Sequence, residues 1–198
     1  MPFIAEPARP GQARAGRLTP GLARAGGVWH DGAAMNQLLK CLVSLGVGLV
    51  PGARGTYGSL LTLGAAVLWL ARGGAPLSGW WYLLLLAGIT ALALAATALA
   101  LARRVFGQDQ DPGPIVIDEA AGQLLALYGL GGLLWWQMGL AFAAFRFFDI
   151  VKPWPVDRLQ DLPGAWGVVA DDLMAGAYAL ALVELARWGL GGLGAWGV

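Results

Sequence analysis

From Trp80 to Ala102 the chain runs for 23 residues without one charged side chain. At about 1.5 Å per residue a helix of that length rises roughly 34 Å, enough to cross a hydrocarbon core about 30 Å thick. Its ends carry the marks of the two interfaces: Trp80, Trp81 and Tyr82 at its start, Arg103 and Arg104 just after it. The rest of the chain agrees with this segment. Only 13% of residues are charged and 58% are hydrophobic, where soluble domains carry about 25% charge, and the mean hydropathy is +0.62. An ordinary water-soluble globule is excluded. The fold expected is all-α, a polytopic membrane helical bundle.

The other apolar stretches are shorter or interrupted, so the bundle is expected to contain short and broken helices. Spans are predicted over 59–70, 80–102, 117–128, 134–148 and 173–188, with 38–50 as a half-helix or interfacial segment. Residues 1–34 differ: Arg9, Arg14, Arg17 and Arg24 lie among Gly, Pro and Ala with no apolar period. This segment reads as a disordered basic tail ahead of a membrane domain over 35–198, with Met35 as an alternative start. It lacks the form of a secretory signal.

Charge placement gives the topology. With these spans, Lys40, Arg54, Arg103, Arg104, Arg146, Lys152 and Arg158 fall on one side with the tail arginines, and only Arg72 and Arg187 on the other. The positive-inside rule puts the crowded side in the cytoplasm. Several chemistries drop out. Cys41 is the single cysteine and His30 the single histidine, so disulfides, Cys/His zinc sites and phosphohistidine chemistry have no residues to use. A net charge of +1 gives no support for nucleic-acid binding.

Nine of the twelve carboxylates lie between Asp109 and Asp172, all on the cytoplasmic side of this scheme. Asp118-Glu119 opens one expected span, Asp149 closes the next, and Asp171-Asp172 opens the last. A lone aspartate at a helix start is commonly a cap or a partner of the helix dipole. Two adjacent pairs plus Asp149 at one level point instead to five carboxylates gathered round a hard cation, because charge entering apolar surroundings must be paired or coordinated. Mg²⁺ suits an all-oxygen donor set without His or Cys. Glu184 stands three residues before Arg187 and reads as half of a local ion pair.

Basic and backbone donors accompany the acids. Arg146, Asp149 and Lys152 follow one another at i, i+3 and i+6, along one helical face until Pro153 ends the helix. Arg146 can fork onto phosphate and Lys152 can meet it as a point charge, although both residue types also snorkel to lipid headgroups. Residues 52–59 form a glycine-rich loop leading into a helix, a place where exposed N–H groups and the hydroxyls of Thr56 and Ser59 can hold an anion. The loop lacks the Gly-Lys-Ser/Thr ending of a Walker A motif. A metal, a phosphate site and apolar walls together suit a lipid phosphate ester better than a nucleotide.

Several motifs now combine: Gly55-Thr56-Tyr57-Gly58-Ser59; Ile115-Val116-Ile117-Asp118-Glu119 with Gly122; Phe145-Arg146-Phe147-Phe148-Asp149 followed by Lys152-Pro153-Trp154-Pro155; and Gly167 with Asp171-Asp172. In this order they resemble the phosphatidylglycerophosphatase A family, over roughly residues 38–187. Arg54 stands where the family commonly has Pro, and Gln110 where it often has His. The resemblance implies an all-helical enzyme of the bacterial inner membrane that uses Mg²⁺ to release phosphate from phosphatidylglycerophosphate, leaving phosphatidylglycerol, the precursor of cardiolipin.

On that footing Asp118, Glu119, Asp149, Asp171 and Asp172 are the expected metal and catalytic residues, with the division between ligands, base and nucleophile open. Arg146, Lys152, Thr56 and Ser59 are the expected phosphate contacts. The expected partners are the phosphatidylglycerophosphate substrate and membrane lipids, and the sequence fixes no oligomeric state. A cation transporter and a structural membrane protein are the alternatives. The first is disfavoured because no expected span carries Asp, Lys or Arg in its middle.

Overall fold

Among the described residues, proline and glycine divide the apolar chain into seven α-helices. The structure is a computed structural model that describes residues 28–108, 112–132 and 134–194. Its helices are α1 (Val28–Ser44), α2 (Arg54–Ala71), α3 (Gly79–Ala102), α4 (Ile117–Ala126), α5 (Trp135–Val151), α6 (Val156–Leu159) and α7 (Ala165–Gly194), with a 3-10 turn at Val47–Leu49 after α1. Among the described residues no sheet forms; the one extended pairing is a bridge between Leu77 and Leu130. The all-α expectation holds.

The membrane spans are revised. Of the five expected, only α3 is long and apolar enough to cross on its own. The physical reason is clearest in α4. Its ten residues rise about 15 Å, half of a hydrocarbon core, before Tyr128-Gly129-Leu130 turns the chain. Gly129 takes φ 87°, and its N–H donates to Leu77 O at 2.7 Å. Tyr82 Oη donates to Leu124 O at 2.8 Å, joining the Leu127 N–H on that carbonyl in the last turn of the helix. α1 begins at Val28, seven residues inside the stretch assigned to the tail; residues 1–27 lie outside the described residues.

α4 sits at the centre, in contact with α1, α2, α3, α5 and α7. The α4–α7 crossing is close because two glycines face each other. A Cβ on Gly122 would stand 2.5 Å from Asp172 O, and one on Gly176 would overlap Gly122 O. Small residues at such a crossing let the two backbones approach closely. Buried apolar side chains collect on either side of this crossing. One group surrounds Tyr82, Leu127, Leu130, Met138 and Phe145; the other joins Val43, Ala93, Ala96, Ile115, Ile117 and Val169.

Candidate active site

The first turn of α4 follows Pro112-Gly113-Pro114 and is pinned by Val116 N–H donating to Val43 O at 2.9 Å. That turn carries Asp118 and Glu119, where the helix dipole favours negative charge. The Gly122–Gly176 crossing then brings α7 alongside, with Asp172 next to the α4 acids. One carboxylate oxygen from each of Asp118, Glu119 and Asp172 lies within 4.8 Å of the others, a spacing able to hold a metal ion. Asp118 and Asp172 are buried, and Glu119 Oε2 is buried without a hydrogen-bond partner. The donor set is all oxygen, which suits a hard divalent cation.

The other two expected acids border this triad and are matched by bases. Arg146 Nη1 lies 2.8 Å from Asp149 Oδ2, one turn apart on α5. Lys152 Nζ makes a short charged hydrogen bond to Asp171 Oδ2. All five carboxylates therefore converge, but as a triad with two flanking ion pairs.

The electrostatics follow from burial and crowding. Burial, then the negative charges of Asp118, Glu119 and Asp149, push the Asp172 carboxyl well above the ordinary carboxylate range. Asp171 is also raised by burial, against the opposing pull of Lys152. Burial works against the Lys152 charge, yet the hydrogen bond and charge of Asp171, with Asp149 and Asp172 behind it, lift its pKa above the usual value. A site that presses protons onto its own acids lacks positive charge at its centre, and a divalent cation would supply it.

Three local expectations are corrected. Asp171-Asp172 does not open its helix: α7 starts at Ala165, so the pair sits in the second turn, where its neighbours are set by the glycine crossing. Lys152 does not continue the Arg146–Asp149 face. The helix stops at Val151, and Lys152 turns off at φ 46°, ahead of Pro153, which aims it at α7. Nor is the Gly55–Ser59 motif a loop, since α2 already begins at Arg54.

Gly55 shows why this first turn needs glycine. A Cβ there would overlap Glu119 Oε1 and lie 3.0 Å from Arg146 Nη1. The N-terminus of α2 therefore rests directly on the acid–base cluster. Within that turn the two expected hydroxyls part company. Ser59 is buried, and its Oγ donates to Gly55 O at 2.9 Å, so it braces the helix. Thr56 is partly exposed in the turn itself. The local pair expected at the far end is present, with Arg187 Nη1 2.6 Å from Glu184 Oε1. Asp109 and Asp111 lie outside the described residues.

Sequence reasoning passed over Gln123. It stands one turn beyond Glu119 on α4, is fully buried, and neither side-chain amide atom has a hydrogen-bond partner. The available signal was a lone amide four residues from an acid inside an apolar run.

Comparison with known proteins places the chain in a family. The family model for phosphatidylglycerophosphatase A matches residues 41–187, a range that contains every side chain of the site. A putative phosphatidylinositol-3-phosphatase from Bacteroides thetaiotaomicron is 34% identical over 158 residues, 74% of this chain and 91% of the relative. Phosphatidylglycerophosphatase A from Haemophilus influenzae is 32% identical, over 75% of this chain and 88% of its own. The Escherichia coli protein of that name is 30% identical, over 75% and 84%. No solved structure matches.

Proposed function

The chain belongs to the phosphatidylglycerophosphatase A family, and from that premise we propose that this lipid phosphatase hydrolyses phosphatidylglycerophosphate to phosphatidylglycerol and inorganic phosphate, with Mg²⁺ as its cation. One observation carries the reading: three buried or half-buried carboxylates within 4.8 Å of one another, flanked by Arg146 and Lys152. Such a site is built to meet a cation and a phosphate together.

Asp118, Glu119 and Asp172 would hold the Mg²⁺, which supplies a Lewis acid for the phosphoryl oxygens and a more acidic water. Arg146 and Lys152 neutralise charge on the phosphate, Arg146 as a fork and Lys152 as a point charge. Asp149 and Asp171 hold those two bases in position and are the carboxylates left to accept the proton of the attacking water. The first turn of α2, with Thr56, supports the phosphate from above through its backbone N–H groups. In the reaction a water oxygen bonds to phosphorus, the ester P–O bond breaks, and the glycerol oxygen leaves with a proton. The chain is read as multi-pass in the bacterial inner membrane, with this site on the cytoplasmic side.

The first relative's name makes a phosphoinositide the competing substrate. Phosphate release from detergent-solubilised protein tests both, using phosphatidylglycerophosphate and phosphatidylinositol 3-phosphate, each with Mg²⁺ or EDTA. The expected result is EDTA-sensitive release with phosphatidylglycerophosphate favoured at least tenfold in kcat/KM. A preference for the inositol lipid overturns the substrate, and release that ignores EDTA overturns the metal.

A further inference from the structure

A second feature lies beside the acid site on the opposite side of α4's first turn. It is an apolar cavity of about 550 Å³ between α2, α3 and α4, within the range of about 300–1,000 Å³ typical of ligand pockets. Ile117 and Ala120 belong to its wall, while Asp118 and Glu119 between them belong to the acid cluster. A single helical turn thus separates the two.

The shape is a slot along the helices. On α3 it runs from Trp81 to Leu92, eleven residues or about 16 Å of rise. That is close to the depth of one bilayer leaflet, half of a core about 30 Å thick. On α2 it runs from Leu61 to Trp69 and so begins about 9 Å beyond Gly55, which rests on Glu119 and Arg146. The hydroxyls in its wall are already committed: Thr62 Oγ1 donates to Gly58 O at 3.0 Å and Tyr82 Oη to Leu124 O at 2.8 Å. A polar ligand would find little to bond. Leu61, Trp69, Leu85 and Leu92 are exposed along the rim, so the slot is open to a chain entering sideways.

We propose that this slot binds one acyl chain of the phosphorylated lipid whose headgroup enters the acid cluster. The length of the slot, its almost entirely apolar lining and its start one headgroup's reach from the carboxylates together select a tethered acyl chain over a free apolar molecule. This inference rests on the phosphatase reading for the identity of the headgroup, and its test has a part that does not.

Ala65 lines the slot and is exposed, so Ala65→Trp fills it without crowding the core. With dioleoyl phosphatidylglycerophosphate the variant should lose at least tenfold in kcat/KM; with the dibutanoyl form it should stay within twofold. Equal losses on both substrates overturn the proposal and leave the phosphatase reading standing. The independent arm is photo-cross-linking with a non-hydrolysable phosphonate analogue carrying a diazirine midway along one acyl chain, and phosphatidylcholine with the same chain as competitor lipid. Labelling of peptides spanning residues 61–69 or 85–92, at least fivefold stronger from the phosphonate and lost in Ala65→Trp, is the expected result. Equal labelling by phosphatidylcholine marks the slot as ordinary lipid contact and overturns the proposal. Absence of phosphate release from any lipid strikes the phosphatase reading alone.

Discussion

Helices α3 and α4 lie in contact and are built on opposite plans. α3 has 24 residues with no charge, yet only 22% of its most apolar stretch is buried within the protein; Trp80 and Leu84 are among its exposed side chains. α4 has ten residues, two of them acids; seven are buried and the other three half-buried. In water this arrangement is upside down, with leucines outside and carboxylates within. In lipid it is the favourable one: apolar surface outward costs nothing, and polar groups must find partners inside the protein. α3 is therefore held by its solvent and α4 by its neighbours.

That contrast can be broken first at the acids. Asp118→Asn should lower the rate of phosphate release about 10³-fold while detergent gel filtration shows an unchanged fold; wild-type turnover would remove Asp118 from the site. Gly55→Ala places a methyl against Glu119 and Arg146, and should cost about 10–100-fold in rate, the usual scale for disturbing groups that orient metal ligands. Gly122→Ala strikes the crossing itself. Its Cβ would meet Asp172 O and the Phe145 ring at 2.5 Å, and an overpacked contact of this kind costs about 1–3 kcal/mol, seen as a lower thermal midpoint. On α3 the same exchange should pass nearly unnoticed. Gly88 has nothing within 4 Å of an added Cβ, so Gly88→Ala should be neutral or up to about 1 kcal/mol stabilising through helix propensity.

Acidity sharpens the comparison from another side. The Asp172 carboxyl is held well above its ordinary value by burial and by neighbouring acids. A carboxyl raised in the folded state contributes stability at low pH that is lost as pH climbs through its folded value. Protein kept in EDTA should therefore melt at a falling temperature as pH rises above the ordinary carboxylate range. Mg²⁺ should restore the midpoint most at the high end of that range and little near pH 5, because it binds the deprotonated acids. A midpoint that ignores both pH and Mg²⁺ would mean the triad carries no such strain.

Much of this was legible from the chain. The α3 boundaries followed from an uncharged run with aromatic and arginine ends, because lipid imposes a length and a composition that a sequence displays openly. The acids that gather in the structure were marked too, since carboxylates in an apolar chain are costly wherever they sit. The helix starts were harder. α2 absorbs its glycine motif and α7 begins six residues before Asp171, and neither helix carries a capping side chain that would have announced it. The apolar slot was not legible at all, because its volume depends on how three consecutive helices splay and its residue types are those of any membrane helix.

Sequence by itself determined which solvent this chain suits and which side chains are too polar to be left alone there. Beyond the one-turn pair of Arg146 and Asp149, tertiary structure alone decided how those side chains are shared: Asp171 with Lys152, and Asp118, Glu119 and Asp172 left together. The reason lies in range. Hydropathy is a property of each residue and its near neighbours along the chain, whereas pairing among five acids depends on ångström distances. Those distances are set by a glycine crossing between residues 122 and 176 and by a single left-handed turn at Lys152.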